Sequence, residues 1–168
     1  GGIMNIKKLD CVENINLNKY ILFREHVKNH MKYPDWLGDF SKEELLIMLQ
    51  NGCKIWVYYF HLKAVCSMML IPATKKSLLK FGLNLNEKEV VDYGPMFVNP
   101  TYVGNGLQYQ MLKELDDYCT KLGYKYAVCT VHPDNIYSIN NLLKDHFEFK
   151  NQKEFKRGVR NVYVKKFI

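Results

Sequence analysis

The chain has 168 residues, a formal charge of +7, and 48% hydrophobic and 14% aromatic residues. This excludes a disordered or low-complexity chain and suits one domain, residues 1–168, with an ordinary core. Apolar runs of roughly ten residues are too short to span a bilayer, the five cysteines form no Cys-x-x-Cys pair of the kind that would mark a zinc site or a disulfide framework, and the basic residues scatter like a solvated surface rather than a nucleic-acid patch.

Residues 1–3, with Gly1-Gly2 ahead of Ile3-Met4, read as a cloning remnant. Met4 to Leu9 alternates enough for a first strand. Asn14, Asn16 or Asn18 can cap a helix from about Leu17 to Met31, with Tyr20, Phe23, Val27 and His30 among its inward positions. Lys32 to Phe40 is an aromatic loop broken by Pro34 and Gly38. Ser41 followed by Glu43 and Glu44 starts a second helix through Gln50. Asn51-Gly52 marks a turn, and Cys53–Phe60 and His61–Ile71 read as a hairpin turning near an exposed His61. Residues 73–89 read as a polar surface insertion with one helical turn.

The strand expected over Val90 to Val98 contains Gly94-Pro95. Proline cannot donate to a ladder, so the strand must be bulged or splayed there. Asn99-Pro100 punctuates it, and Gly104-Asn105-Gly106 opens a helix with Leu107, Met111, Leu115, Tyr118 and Leu122 at helical spacing. Glycines before a helix N-terminus let unpaired N–H groups approach a phosphate. The dinucleotide fingerprint is excluded, because its third glycine would fall at Tyr109, and no Gly-Lys-Ser/Thr follows for a Walker loop. Gly123 closes the helix. Tyr124–Val131 is apolar on both faces, as a buried parallel strand should be. A helix from about Asn135 to Asp145 precedes a final strand pair, 147–155 and 159–167, around Arg157-Gly158.

Thr101-Tyr102-Val103-Gly104-Asn105-Gly106 resembles the Arg/Gln-x-x-Gly-x-Gly/Ala pyrophosphate loop of the GCN5-related N-acetyltransferases (GNAT), with Thr101 replacing the usual first residue. His132-Pro133-Asp134-Asn135-Ile136-Tyr137-Ser138 is similar to that family's strand-end Asn-x-x-Ser/Ala segment. The resemblance implies an α/β fold: a mixed, mostly antiparallel central sheet with a splayed pair of parallel strands and flanking helices. It implies transfer of acetyl from acetyl-CoA to an amine of a small molecule or peptide. A non-catalytic acyl-CoA-binding or interaction module on the same fold is the alternative. The cysteine pattern suits a reducing cytoplasm, and a monomer or homodimer without nucleic-acid, membrane or metal partners is expected. Neither the acceptor, the acyl length nor the oligomeric state is legible.

Coenzyme contacts are expected from the backbone of Met96, Phe97 and Val98, from Thr101, Tyr102, Val103, Gly104, Asn105, Gly106 and Leu107, and from Asn135 and Ser138. Asn135 is equally suited to cap a helix. The amides near Met96 to Val98 are expected to stabilise the oxyanion. Asp92 is the candidate base, and otherwise an ordinary strand-end carboxylate. Tyr33, Trp36 and Phe40 either line the acceptor pocket or pack as hydrophobic residues. The family's tyrosine acid falls at Leu143, and its following Gly-Phe at His146-Phe147. The acid is therefore missing, replaced by another donor such as Tyr137, or unnecessary for a thiolate leaving group. Tyr137 and Leu143 point some 120° apart on one helix, which favours no replacement.

Overall fold

The computed structural model describes residues 3–168, so the reading of Gly1 and Gly2 as a remnant lies outside the described residues. Among the described residues five α-helices form: α1 (Leu17–Lys28), α2 (Lys42–Gln50), α3 (Lys75–Phe81), α4 (Leu107–Lys121) and α5 (Ile136–Lys144). The strands are β1 (Asp10–Glu13), β2 (Lys54–Phe60), β3 (Lys63–Pro72), β4 (Val90–Tyr93), β5 (Phe97–Val98), β6 (Tyr126–Val131), β7 (Glu148–Phe155) and β8 (Gly158–Lys166). They fall into two compact units interleaved along the chain. One runs to Leu70 and resumes over Gly94–Met111; the other takes Ile71–Tyr93 and Leu112–Ile168.

In the first unit β1, β2 and β3 pair antiparallel in sequence order, and β5 adds to β3 through Ser67↔Phe97 and Cys66↔Val98. The hairpin turns where expected, at an exposed His61 with φ 56°. Helix α1 starts at Asn16, whose side chain accepts from the Asn18 and Lys19 amides. It buries Tyr20, Phe23 and Val27, and the Tyr20 and Phe23 rings lie 5.8 and 5.2 Å from that of Phe97. His30 is a correction: the helix ends before it, and it is exposed, with Nδ1 against the His26 carbonyl. At Ser41 and Glu44 a complete capping box opens α2.

The expected first strand over Met4–Leu9 is also corrected. Ile6–Lys8 forms a 3₁₀ turn, because the Asn5 side chain accepts from the Lys7 amide and bends the chain. Strand pairing begins only at Asp10.

In the second unit β4 and β6 pair parallel over Val90–Asp92 and Tyr126–Val128, while β6–β8 and β8–β7 are antiparallel. The sheet is therefore mixed and mostly antiparallel, with one parallel pair. The insertion expected on the surface at 73–89 instead holds a core helix. Thr74 and Ser77 cap α3 reciprocally, Gly82 ends it at φ 70°, and Leu78 and Phe81 bury against Val90, Val128, Val162 and Val164. Helix α4 buries Leu107, Met111 and Leu115 as its spacing predicts, but also Leu112, Asp116 and Cys119, while Leu122 is exposed. Among the described residues no helix is long and apolar enough to cross a membrane.

Candidate functional site

The interruption at Gly94-Pro95 is real and separates β4 from β5. The Gly94 amide donates to Met69 O at 2.9 Å, Pro95 has no amide to offer, and the chain resumes pairing only at Phe97. Among the described residues strand β5 has one strand neighbour, β3, so its other edge carries backbone groups without a ladder. Asn99 fixes the end of β5. Its amide donates to Val65 O at 2.7 Å, its Nδ2 to Ala64 O at 2.9 Å, and its Oδ1 accepts from the Thr101 amide at 3.1 Å. The sequence shows Asn99 only as punctuation, because its partners lie over thirty residues away.

After the 3₁₀ turn Pro100–Tyr102, the chain passes Gly104 and Gly106 with φ 94° and 65°, a region that glycine enters freely. A Cβ at either would meet nothing within 4 Å. Among the described residues the amides of Gly104, Asn105, Gly106 and Leu107 donate to no acceptor. They cluster at the positive end of the 15-residue helix α4. Four donors, a helix dipole and an open face suit an anion with several oxygens, such as a pyrophosphate.

In the same unit Tyr33 stacks on Trp36 at 4.6 Å and an interplanar angle of 23°, with the Lys32 ammonium 5.4 Å from the Tyr33 ring. Two basic residues of α1 hold this aromatic loop. Buried Arg24 donates to Phe40 O at 2.7 Å, and Lys28 pairs with Asp39 at 2.7 Å. Tyr33 is exposed while Trp36 and Phe40 are half-buried, so these rings are held in place without being consumed by the core.

In the second unit Asp92 sits on β4 opposite Val128. Among the described residues nothing bonds its carboxylate. Burial alone pushes that carboxyl up to about 7, since a charge there is poorly solvated. Among the described residues no strand continues the ladder on that side of β6 beyond Val128, which leaves Cys129–Val131 with an edge outside the ladder. Asn135 is the cap of α5, its Oδ1 accepting from the Ser138 amide at 3.3 Å. Tyr137 is 59% exposed, and Leu143 is 50% exposed.

A cluster that sequence reasoning missed lies in this unit. Asp116 accepts from the Tyr93 hydroxyl at 2.6 Å and from the Lys165 ammonium at 2.7 Å. Fully buried Asp145 takes Lys165 at 3.1 Å and Lys113 at 3.2 Å, while its Oδ2 has no donor. Burial, and then the neighbouring Asp145, raise the Asp116 carboxyl above the usual carboxylate range. Asp116 looks like an ordinary polar helix residue in the sequence, and only an acidic residue one turn from Leu112 and buried Cys119 hints otherwise.

No protein-family model matches the sequence, and no curated protein matches it significantly. Solved structures do match in fold. An acetyltransferase of the GNAT family from Streptococcus pneumoniae superposes with a TM-score of 0.69 at 13% identity, over 95% of this chain and 100% of that one. YncA of Salmonella typhimurium, solved with its cofactor acetyl-CoA, gives 0.69 at 13% identity over 96% and 95%. A Bacillus subtilis acetyltransferase in complex with CoA gives 0.69 at 11% identity over 96% and 100%. The chain therefore has the fold of the GNAT acetyltransferases.

Proposed function

We propose that the protein moves an acetyl group from acetyl-CoA to an amine of a small molecule or peptide. The observation that carries this reading is the loop over Gly104–Leu107 at a helix N-terminus, with four amides undonated among the described residues and open space at Gly104 and Gly106. The fold neighbours solved with acetyl-CoA and CoA support the choice of anion. Acetyl-CoA supplies, when bound, an acyl group activated as a thioester.

The chain's own residues would do the rest. The free edge of β5 offers the backbone of Met96, Phe97 and Val98 to an extended, amide-bearing chain such as pantetheine. The same amides suit the carbonyl oxygen on which negative charge develops. Asn135 and Ser138 would add coenzyme contacts, the former while also capping α5. An ammonium cannot attack an acyl carbon, so the acceptor must first lose a proton. A carboxyl raised to about 7 takes that proton near neutral pH, directly or through a water. Tyr33, Trp36 and Phe40 would contact the acceptor.

A turnover screen of amine acceptors with acetyl-CoA tests the proposal, and acetylated product with free CoA is the expected result. A second reading, an acyl-CoA binder without turnover, is favoured by Leu143, an exposed aliphatic residue where the family often supplies an acid. Tight coenzyme binding with no transfer to any amine class would establish that second reading.

A further inference from the structure

The segment Met4–Ile6 is bound to the glycine loop by side-chain amides rather than by a strand. Gln110 Oε1 accepts from the Ile6 amide at 2.9 Å, and its Nε2 donates to Met4 O at 2.9 Å and to Asn105 O at 3.0 Å. Asn105 Oδ1 accepts from the Met4 amide at 3.0 Å, while its Nδ2 donates to Tyr102 O at 2.8 Å. All these residues belong to the first unit. Gln110 reads two backbone groups on one edge of the segment as a neighbouring strand would. Ile6, 3% exposed, anchors the segment in the core.

We infer that Met4–Ile6 is a strap that sets the shape of the Gly104–Gly106 loop, with Asn105 and Gln110 as its positioning residues. A loop with two glycines at positive φ has many conformations open to it, and few of them leave four successive amides undonated together. Asn105 stands between the glycines, and both ends of its side-chain amide are committed, one to the strap and one to Tyr102 O. Its backbone carbonyl is held by the same Gln110 nitrogen that holds Met4 O. The side chain of Asn105 and the peptide plane that follows it are thereby fixed, by bonds that leave the amides of residues 104–107 undonated among the described residues. A ligand then meets a loop whose ordering has already been supplied within the chain. The affinity consequence rests on the coenzyme reading above; the ordering itself does not.

The test uses the full chain and two variants that reach the strap from opposite sides. Gln110→Ala removes three of the bonds, and Met4→Pro removes one amide donor without touching the loop. Amide hydrogen exchange at residues 104–107 and the Kd for coenzyme A are measured, alongside melting temperature. Both variants should exchange at the loop about tenfold faster and bind coenzyme A about tenfold more weakly, with kcat at saturation within about twofold of the parent. Gln110→Glu, which keeps the acceptor for Ile6 but loses both donors, should fall between. A lowered melting temperature with unchanged loop exchange and unchanged Kd would overturn the strap and leave a plain structural contact. If the parent ignores coenzyme A but loop exchange still rises in both variants, the coenzyme reading falls and the strap stands.

Discussion

At the start of α4 the amides of Gly104 to Leu107 have no acceptor among the described residues, and a Cβ at Gly104 or Gly106 would meet only open space. One turn beyond Leu112, the Asp116 carboxylate of the same helix is buried and bonded on both oxygens, by Tyr93 and Lys165. Both regions concentrate polarity, but to opposite ends. Donors left unmet at an accessible face are held ready for something that arrives. Charges met by one another in the interior are scaffold, and breaking one of them strands the rest. The raised carboxyl of Asp116 therefore does not mark a site, whereas the raised carboxyl of Asp92, with no hydrogen-bond partner among the described residues, is a candidate.

Breaking the scaffold should have the largest effect. Lys165→Met removes the ammonium that Asp116 and Asp145 share, leaves Asp145 with Lys113, and should cost about 3–5 kcal/mol, the usual loss for one partner of a buried pair. For a chain of this size that lowers Tm by roughly 10 °C. The stranded carboxylates can relieve themselves by taking protons, so the deficit should shrink from pH 8 to pH 5. A deficit equal at both pH values would show that packing, not charge, was lost.

Next comes the loop. Coenzyme A at 100 times its Kd should stabilise the parent by about 2.7 kcal/mol. Gly106→Asp sets a carboxylate on the open face and a side chain at φ 65°, and should remove that stabilisation entirely. Equal ligand-induced shifts in parent and variant would end the anion reading of the loop.

Asp92→Asn sharpens the comparison through its sign. The carboxyl titrates near 3.8 when exposed and about 7 when folded. Between those values the native chain holds a proton that the unfolded chain has released. Stability therefore falls as pH rises through that window, and the penalty is complete above pH 7. The asparagine variant should be more stable than the parent at pH 8, by roughly 2 kcal/mol once partial solvation is allowed for, and no more stable at pH 4. It should also lose about 10- to 1000-fold in kcat/KM while binding coenzyme normally. A stabilised variant with full activity would make Asp92 a strained structural group and nothing more.

Legibility followed the range of each interaction. The capping box at Ser41, the turn at His61, the break at Gly94-Pro95 and the start of α4 depend on residues close in sequence, and all stand where the sequence places them. What failed depended on distant partners. Met4–Leu9 has a strand's alternation, but Met4 and Ile6 are held by side chains about a hundred residues on. The 73–89 segment looks polar because only Leu78 and Phe81 of its helix face the core. The glycine loop was readable as a turn with free amides; the strap that holds it was not, since an asparagine and a glutamine carry no sign of which backbone they bind.

The smallest effect is expected at Tyr137, where the family's acid is absent at Leu143. A general acid for a leaving thiolate has to be held toward the reacting sulfur by its surroundings. Tyr137 instead lies in the first turn of α5 with most of its ring in water. Asn135, two residues earlier, is engaged with the Ser138 amide, so the cap fixes the backbone of this turn but not the phenol. Helical geometry points Tyr137 roughly 120° away from Leu143, so it does not inherit that position's direction. A thiolate also leaves readily near neutral pH, which lowers the need for any acid. Tyr137→Phe, which removes only the hydroxyl, should therefore change kcat by less than about twofold, and the parent should show no alkaline limb that the variant loses. A fall of about 100-fold with coenzyme affinity intact and that limb gone would name Tyr137 as the acid, and would require α5 to turn it inward when substrate binds.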